Sequence, residues 1–281
     1  MSDHKRTVLI TGCSEGGVGA ELAKEFHKAG LQVYATARDP SKMGTLTLLG
    51  IEALPLDIQS NSSIDECAKK ISHLDILINN AGASYTMPIA DISISEAKKL
   101  FDINVWGYIA VTQAFLPLLI KSPKAMIVNH TSSGATISIP WQAVYNASKA
   151  AMSSFSNTLR MELEPFRISV VELRTGGVKT NIVSNVQAKQ PKLPSGSIYL
   201  PARDIVEKAL LLEWVEGRGI TAEQWAKKVV GDLLMNSPSP VIWRGESAWI
   251  ASVMSLLPFR LDWLFKKWTS LDKVESIIRK Q

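Results

Sequence analysis

Residues 8–26 read VLITGCSEGGVGAELAKEF, and this stretch decides the fold. It begins with a short apolar run, continues through glycines at positions 12, 16, 17 and 19, and ends at helical spacing. Glycine lets the backbone turn tightly and approach a phosphate group, and the following helix presents unpaired N–H groups to the anion. The stretch therefore predicts a strand, a phosphate-binding loop and a helix. A glycine-rich turn without a ligand is the alternative.

The rest of the chain alternates predicted strands with predicted helices. Strands that lack polar alternation and are each followed by a helix are typical of a parallel sheet covered on both faces. The pattern predicts an α/β, Rossmann-type, doubly wound sheet in three layers, with a single domain over residues 1–245 and a helical extension over 246–281. We expect strands at 7–11, 31–37, 51–57 (with pairing interrupted at Pro55), 74–79, 125–130 and 168–173, and helices at 19–29, 63–71, 93–119, 145–164 and 221–235.

Composition excludes several classes of protein. Hydrophobic residues make up 46% of the 281 residues and charged residues 20%, which is typical of a globular chain. The net charge of +5 is spread without a run of like charges, so we expect no nucleic-acid partner. Cys13 and Cys67 are far apart and show no zinc or disulfide pattern, so we expect no metal site. The start, MSDHKRTVLI, enters a strand almost at once, which predicts no secretory signal and a cytoplasmic protein.

The end of the second predicted strand bears on the choice of cofactor. It reads YATARDP, residues 34–40, at the distance where an acidic residue holds the adenine-ribose 2′-OH of NAD(H). Arg38 comes first, and its guanidinium suits the 2′-phosphate of NADP(H). Asp39 in that place would favour NAD(H). We favour Arg38 and NADP(H), because Lys42 adds a second cation nearby.

Tyr145 and Lys149 lie four residues apart in YNASK, so a helix places them on one face. A surface pair without function is the alternative. A free tyrosine has a pKa of about 10, which is too high for proton transfer at neutral pH. A lysine ammonium and an oxidised nicotinamide ring would both favour the phenolate and bring the pKa toward about 7. Ser132 precedes the tyrosine by thirteen residues and offers a hydroxyl to a carbonyl oxygen.

These stretches, in this order, resemble the short-chain dehydrogenase/reductase family. The resemblance rests on TGCSEGGVG, Leu56-Asp57, NNAG at 79–82, Asn104 in FDINVWG, Ser132 and the Y-x-x-x-K pair. It implies hydride transfer, a water held by Asn104 in a proton chain to Lys149, and a homodimer or homotetramer formed by helices 93–119 and 145–164. The implied catalytic residues are Asn104, Ser132, Tyr145 and Lys149. The implied cofactor-binding residues are Gly12, Ser14, Gly16, Gly17, Val18, Gly19, Arg38, Asp57, Asn80, Gly82, Tyr145, Lys149, Val178 and Thr180.

The chain departs from the family pattern at two places. TGCSEGGVG has one extra residue between its first two glycine positions. LRTGGVKT has Thr175 where the family usually has proline, and this change concerns the local turn rather than the implied contact of Val178 and Thr180 to the nicotinamide. The resemblance also implies that residues 181–220 cover the active site as a substrate lid. The prolines and polar residues of 181–201 predict a loop, and residues 202–219 predict a helix. Thr221 and Gln224 form a capping-box pattern that opens the helix at 221–235.

The C-terminal stretch SAWIASVMSLLPFRLDWLFKKW, residues 247–268, mixes an apolar run with tryptophans and basic residues. The uninterrupted apolar run is about a dozen residues, too short to span a bilayer. Aromatic and basic residues together suit a segment that lies on a membrane surface. A wall of the substrate pocket and an oligomer contact are the alternatives. The residues concerned are Trp249, Arg260, Trp263, Lys266, Lys267 and Trp268.

This tail, with TGGV at 175–178 and the closing LDKVESIIRK, resembles the fungal 1-acyldihydroxyacetone-phosphate reductase branch of the family. Members of that branch reduce a lipid ketone with NADPH and associate with endoplasmic reticulum and lipid droplets. The resemblance implies a small lipophilic ketone as substrate. A ketoreductase or alcohol dehydrogenase for a polyketide or terpenoid in secondary metabolism is the alternative.

The residues also bear on three other functions. A non-catalytic nucleotide-binding regulator would not need the intact set of four catalytic residues. A membrane-surface lipid-binding protein with vestigial catalysis remains open. His130 near Ser132 could suggest a hydrolase, but no nucleophile elbow or acidic third member is present. We therefore predict that His130 ends a strand and that Cys13 is a small packing residue.

Overall fold

A computed structural model describes residues 5–256 and 262–279 of the chain. The strands of the described part are β1 (Thr7–Thr11), β2 (Gln32–Ala37), β3 (Glu52–Pro55), β4 (Ile76–Asn79), β5 (Met126–His130), β6 (Ser169–Thr175), β7 (Val178–Lys179), β8 (Ile220–Thr221) and β9 (Val241–Arg244). Its helices are α1 (Val18–Lys28), α2 (Gly44–Leu48), α3 (Asn61–Lys69), α4 (Ile94–Phe101), α5 (Gly107–Leu119), α6 (Ala143–Glu162), α7 (Ile182–Ala188), α8 (Arg203–Leu210), α9 (Ala222–Leu233), α10 (Ala248–Leu256), α11 (Asp262–Trp268) and α12 (Leu271–Ile278).

Seven strands form one parallel sheet in the order β3-β2-β1-β4-β5-β6-β9. The strands β7 and β8 form a separate parallel pair. The order reverses between β1 and β4, and at such a point the carboxyl ends of the strands open a crevice for a ligand. The predicted Rossmann-type, doubly wound sheet is confirmed, as is the single domain followed by C-terminal helices.

Alternate side chains of each strand enter two apolar layers, one on each face of the sheet. In β1, Val8 and Ile10 pack with Phe26 of α1 and Trp225 of α9. Leu9 points the other way and packs in the layer of Phe115 from α5. Since both faces are covered, each strand reads as a continuous apolar run, which is the pattern that predicted the parallel sheet.

One detail of the predicted elements is wrong. Pairing is not interrupted at Pro55, because Pro55 lies opposite Ala37 and the N–H of Leu56 donates to the Ala37 carbonyl at 2.9 Å. Since β3 is an edge strand, a missing proline N–H is tolerated there. The helical stretch predicted at 93–119 is confirmed, and it contains a π-helical turn at Asp102–Trp106 between α4 and α5.

The last third contains elements that the sequence did not predict, together with the predicted helices α8 and α9. The strand β9 pairs with β6 at the far edge of the sheet and was not predicted. Residues 181–220 include the helix α7, where we expected a loop. The capping box that opens α9 is confirmed, with Thr221 and Gln224 bonded reciprocally at 3.1 and 3.2 Å.

A third apolar cluster lies beyond the sheet and brings the C-terminal helices against α8. It contains Trp141, Leu193, Leu210 and Val274. Of the predicted tail residues, Arg260 lies outside the described residues. In the described ranges, no helix is both long and apolar enough to cross a bilayer. The bounds 1–245, 181–220 and 246–281 as functional units stay predictions.

Candidate active site

The loop after β1 is a cradle that only glycine can form. Gly12 has φ +74°, and a Cβ there would lie 2.7 Å from the Cα of Ala81. A Cβ at Gly19 would collide with the carbonyl of Gly12. Asn80 follows β4, the neighbour of β1 in the sheet. Its Nδ2 holds the loop by donating to the carbonyls of Thr11 at 2.8 Å and Gly12 at 3.2 Å. The loop is therefore tight and close to helix α1, as phosphate binding requires.

Lys149 is buried one turn along α6 from Tyr145, with 5% of its surface exposed. Its Nζ donates to the backbone carbonyl of His130 at 2.9 Å. The ammonium lies 5.9 Å from the ring centre of Tyr145 and 5.5 Å from that of Tyr108. Burial lowers the pKa of Lys149 from 10.5 to about 8, because the charged form loses its hydration.

Tyr145 and Ser132 are half-buried and belong to neighbouring elements. Ser132 caps the short turn 133–135, and its Oγ accepts from the N–H of Gly134 at 3.1 Å. Burial raises the pKa of Tyr145, and a hydrogen bond with Ser132 opposes that rise. We expected the neighbouring ammonium to lower this pKa. In the protein alone the desolvation of the phenolate is the larger effect.

Asn104 lies fully buried inside the π-helical turn. Its Oδ1 accepts from the N–H of Ala83 at 2.9 Å, and its Nδ2 donates to the Ala83 carbonyl and to Ser148 Oγ, both at 3.0 Å. Both amide donors are therefore used within the protein. A relay water, as predicted from the family, would have to use an acceptor of Asn104 instead.

Gly82 connects this asparagine to the lysine. A Cβ at Gly82 would lie 3.3 Å from Asn104 Oδ1 and 3.6 Å from Lys149 Nζ. The structure thus brings together the predicted catalytic asparagine and lysine with one predicted cofactor-binding glycine. Tyr145 and Ser132 adjoin the same cleft through α6 and the end of β5.

The end of β2 distinguishes Arg38 from Asp39. Oδ1 of Asp39 accepts from the N–H of Ser41 at 3.0 Å and from its hydroxyl at 2.7 Å, and so caps the turn that begins at Pro40. These bonds lower the pKa of Asp39. Arg38 is exposed and forms no hydrogen bond or ion pair with residues 5–256 or 262–279. The carboxylate is thus engaged in a local turn, and the guanidinium is available to a ligand.

The other predicted cofactor residues lie around the same crevice. Gly17 is the N-cap of α1, Val18 is its first residue, and Ser14 and Gly16 lie in the loop before them. Asp57 follows β3, and its Oδ1 accepts from the N–H of Gln59 at 3.0 Å. Val178 belongs to β7, and Thr180 Oγ1 accepts from the N–H of Ile182 at 3.3 Å.

Asn181 was not predicted and lies directly on the glycine loop. Its Nδ2 donates to the carbonyl of Glu15 at 2.9 Å, and its backbone N–H donates to the carbonyl of Gly16 at 3.3 Å. A Cβ at Gly16 would collide with this side chain. The only signal in the sequence was its place directly after Thr180, at the start of a segment taken for a loop.

The two predictions about His130 and Cys13 are confirmed. His130 is the last residue of β5, and its ring nitrogens bond to Asn80 and Thr175 rather than to Ser132. Cys13 is fully buried, and burial raises the pKa of its thiol to about 12. A thiol with this pKa stays protonated and behaves as a small apolar residue.

Comparison with known proteins finds relatives over most of the chain. The family model described as short chain dehydrogenase matches residues 6–191. A short-chain dehydrogenase/reductase of Pestalotiopsis microspora is 52% identical over 281 residues and covers 99% of both chains. The NADPH-dependent 1-acyldihydroxyacetone phosphate reductase of Schizosaccharomyces pombe is 42% identical over 211 residues, which cover 73% of this chain and 71% of that protein.

Solved structures share the fold at lower sequence identity. A short-chain dehydrogenase from Streptomyces avermitilis superposes with a TM-score of 0.76 over 98% of both chains at 24% identity. A serine dehydrogenase complexed with NADP+ superposes with a TM-score of 0.71 at 24% identity, covering 85% of this chain and 94% of the other.

The glycine cradle, the parallel sheet and the tyrosine–lysine pair define a nucleotide-dependent oxidoreductase. The chain belongs to the short-chain dehydrogenase/reductase family.

Proposed function

We propose that the protein reduces a ketone on a lipophilic substrate to a secondary alcohol with NADP(H), or catalyses the reverse oxidation. The observation that carries this proposal is the position of the buried Lys149 ammonium beside the ring of Tyr145, at a cleft bordered by the glycine loop. The glycines at positions 12 and 19 suit a dinucleotide loop, because a Cβ at either would collide with Ala81 or with the carbonyl of Gly12 and would force the tight turn open. NADPH, when bound, supplies the hydride.

Each of the four residues then has a chemical role. Tyr145 donates a proton to the carbonyl oxygen as negative charge develops there. Ser132 holds that oxygen through its hydroxyl. Lys149 favours the phenolate that Tyr145 becomes, and its ammonium also suits ribose hydroxyls. Asn104 positions Ala83 and Ser148 next to the lysine. We propose that the second lone pair of its Oδ1, or its backbone carbonyl, accepts a hydrogen bond from the relay water.

NADP(H) is favoured over NAD(H) by the end of β2. Arg38 is exposed there, whereas the competing carboxylate of Asp39 is engaged by Ser41. A guanidinium binds a phosphate through two parallel hydrogen bonds. The Schizosaccharomyces pombe relative is NADPH-dependent by name, and structural neighbours include complexes with NADP and with NAD.

A lipophilic substrate is supported by the apolar cluster beside α6. Trp141 precedes the catalytic tyrosine by four residues, and its Nε1 donates to the carbonyl of Thr269 at 3.2 Å. Its own carbonyl accepts from the N–H of Met87 at 2.8 Å. The loop after β4 and the C-terminal helices are therefore joined next to Tyr145, with apolar side chains from α8 and α12 around them.

Two substrate classes are candidates. An acyl-dihydroxyacetone-phosphate-like lipid is supported by the 42% identical relative that is named for that substrate. A polyketide or terpenoid ketone is the second candidate. Purified protein would be assayed for NADPH oxidation with both classes. Tyr145→Phe should lower turnover by about 10³-fold while leaving NADPH affinity nearly intact, and Tyr34→Phe on β2 is the matched control.

The outcomes of this assay separate the classes of function. A near-normal rate for Tyr145→Phe contradicts the mechanism. NADPH binding without oxidation across both substrate classes would instead support a nucleotide-binding regulator. Lipid binding without any catalysis would support a lipid-binding protein.

We also propose that the C-terminal helices contact a membrane or lipid-droplet surface, with the protein otherwise cytoplasmic. Trp249 is 70% exposed and Trp263 is 64% exposed, whereas Trp268 packs against Phe265 and Arg218. Exposed tryptophans near Lys267 suit an anionic interface. Replacing Trp249 and Trp263 by serine should reduce flotation with vesicles that contain anionic lipid. Phe166→Ser, at an exposed aromatic residue outside the C-terminal helices, is the control, and unchanged flotation of the double variant contradicts the proposal.

A homo-oligomer is proposed from an apolar surface on α4 and α6. Ile94 and Met161 are exposed, and Trp106 in the π-helical turn contacts Phe155 edge to face with ring centres 6.1 Å apart. Such a surface is typical of a contact between subunits. Sedimentation of Trp106→Glu should show smaller species than the unmodified protein, and an unchanged mass contradicts this interface.

A further inference from the structure

His130 is bonded on both ring nitrogens, and its partners decide which nitrogen carries the proton. The Nδ2 of Asn80 donates to the carbonyls of Thr11 and Gly12, so its Oδ1 faces His130 Nδ1 at 2.9 Å as an acceptor. Nδ1 must therefore be the donor. Burial and the charge of Lys149 lower the pKa of His130 to about 3, so the ring is neutral and Nε2 carries a lone pair.

Thr175 supplies the proton for that lone pair. Its Oγ1 lies 2.7 Å from His130 Nε2, and the hydroxyl donates because the nitrogen is an acceptor. This assigns a reason to the residue that stands where proline is usual in the family. Proline has no hydroxyl, and it could not fix the tautomer of the histidine.

The bonds around His130 run across the carboxyl ends of four neighbouring strands. They join Thr11 of β1, Asn80 after β4, His130 of β5 and Thr175 of β6. The ring also stacks on Trp225 of α9 at 5.3 Å between centres. The imidazole is thus held in its plane, at both nitrogens and from one side.

The backbone of the same residue holds the catalytic lysine. The carbonyl of His130 accepts from Lys149 Nζ at 2.9 Å and from the hydroxyl of Tyr108 at 3.3 Å. The side-chain bonds of His130 to Asn80 and Thr175, called the clamp below, therefore fix the position of its carbonyl. That carbonyl is the acceptor of the Lys149 ammonium, and it is held relative to Asn80 and the glycine loop. The titratable groups nearest the clamp are Lys149, Tyr108 and Tyr145.

We propose that His130 is a positioning residue: a neutral imidazole protonated at Nδ1 that ties the acceptor of Lys149 to the cofactor loop, with Thr175 selecting this tautomer. It touches neither substrate nor the reacting atoms, and it acts through Lys149 and Asn80. The role in turnover rests on the proposed reductase function, whereas the tautomer does not.

The tautomer is tested on the protein without cofactor. Long-range proton–nitrogen NMR of ¹⁵N-histidine-labelled protein should show one imidazole with Nδ1 protonated, unchanged between about pH 5 and pH 9. That signal should vanish in His130→Phe. It should persist in the control variant His27→Phe, because His27 is an exposed residue of α1. Protonation at Nε2, or titration with a pKa near 6.5, would overturn the proposal.

The positioning role is tested by a matched pair at position 175. Thr175→Val removes the hydroxyl at nearly constant volume, and Thr175→Ser keeps it. The valine variant should lose about tenfold in kcat, which corresponds to about 1.4 kcal/mol, with KM and NADPH affinity within about twofold. The serine variant should stay within about twofold of the unmodified protein. Equal rates for both variants, or a loss confined to KM, would overturn the role.

Two further measurements distinguish a failure of the proposed reductase function from a failure of the positioning role. NADPH affinity, measured by quenching of tryptophan fluorescence, reports on the cofactor loop whether or not a substrate is found. If no ketone is reduced, the proposed function fails, while the NMR spectrum still decides the tautomer. If Thr175→Val does not fold, the spectrum still decides the tautomer, and Thr175→Ala replaces the valine variant in the comparison with Thr175→Ser.

Discussion

Replacing Lys149 by methionine should abolish turnover and make the protein without cofactor more stable. Lowering the pKa of this lysine from 10.5 to about 8 is equivalent to a cost of about 3 kcal/mol for carrying the charge in the folded state. Methionine fills a similar volume without charge. The bond to the His130 carbonyl is lost, which offsets the gain by roughly 1 kcal/mol. The net expectation is about 2 kcal/mol, or a Tm higher by on the order of 3 °C.

The sign of the pH dependence follows from the same shift. Between about pH 8 and 10.5 the unfolded chain binds more protons at this lysine than the folded chain does, so the unmodified protein gains stability as the pH rises. Below about pH 8 the unmodified protein bears the full cost of the buried charge, and above about pH 10.5 it bears almost none. The advantage of the methionine variant should therefore be largest at neutral pH and fall toward pH 10.5.

Thermal unfolding of both proteins at about pH 7 and pH 10 measures this difference. Lys121→Met, at an exposed lysine just after the end of α5, is the control and should change little at either pH. A methionine variant that is less stable than the unmodified protein at pH 7 refutes the reasoning. So does a gain in stability that is the same at both values of pH.

Two other predictions concern the cofactor and the core. Arg38→Ala should weaken NADPH binding about tenfold or more and leave NADH binding almost unchanged, whereas Asp39→Ala should alter both affinities alike. Titration of both nucleotides measures this, and an unchanged NADPH/NADH preference in Arg38→Ala contradicts the assignment. Arg174→Met should destabilise the protein by about 3 kcal/mol in urea, because it leaves the fully buried carboxylate of Glu172 without its cation. The double variant Arg174→Met with Glu172→Gln should recover part of the lost free energy of unfolding. If it recovers none, lost packing of Arg174 is responsible instead of the unpaired charge.

The sequence predicted most of the sheet because its strands are buried on both faces and are therefore visible as apolar runs. The glycine loop and the pair of Tyr145 and Lys149 were also predictable, because each depends on residues close together in the chain. The strand β9 was missed because it has four residues and follows a proline-rich turn. The π-helical turn around Asn104 was missed because it depends on contacts outside the helix, such as the bonds of that side chain to Ala83.

The bond between His130 and Thr175 could not be predicted from the sequence. The two residues are 45 positions apart, and nothing in either strand indicates that β5 and β6 place their ends in contact. The sequence showed only that Thr175 replaces a usual proline. Asn181 was missed for a similar reason, since its partners lie in a loop 166 residues earlier. Side-chain bonds between distant strands require the fold before they can be found.

The bond from Trp141 to Thr269 has a consequence for the order in which the protein matures. Its two ends are 128 residues apart, and the second lies beyond the last strand of the sheet. During synthesis, the strands and the glycine loop can assemble before Thr269 has left the ribosome. A nascent chain could therefore acquire its nucleotide before the proposed substrate side exists, and the ability to discriminate among ketones would be the last property to form.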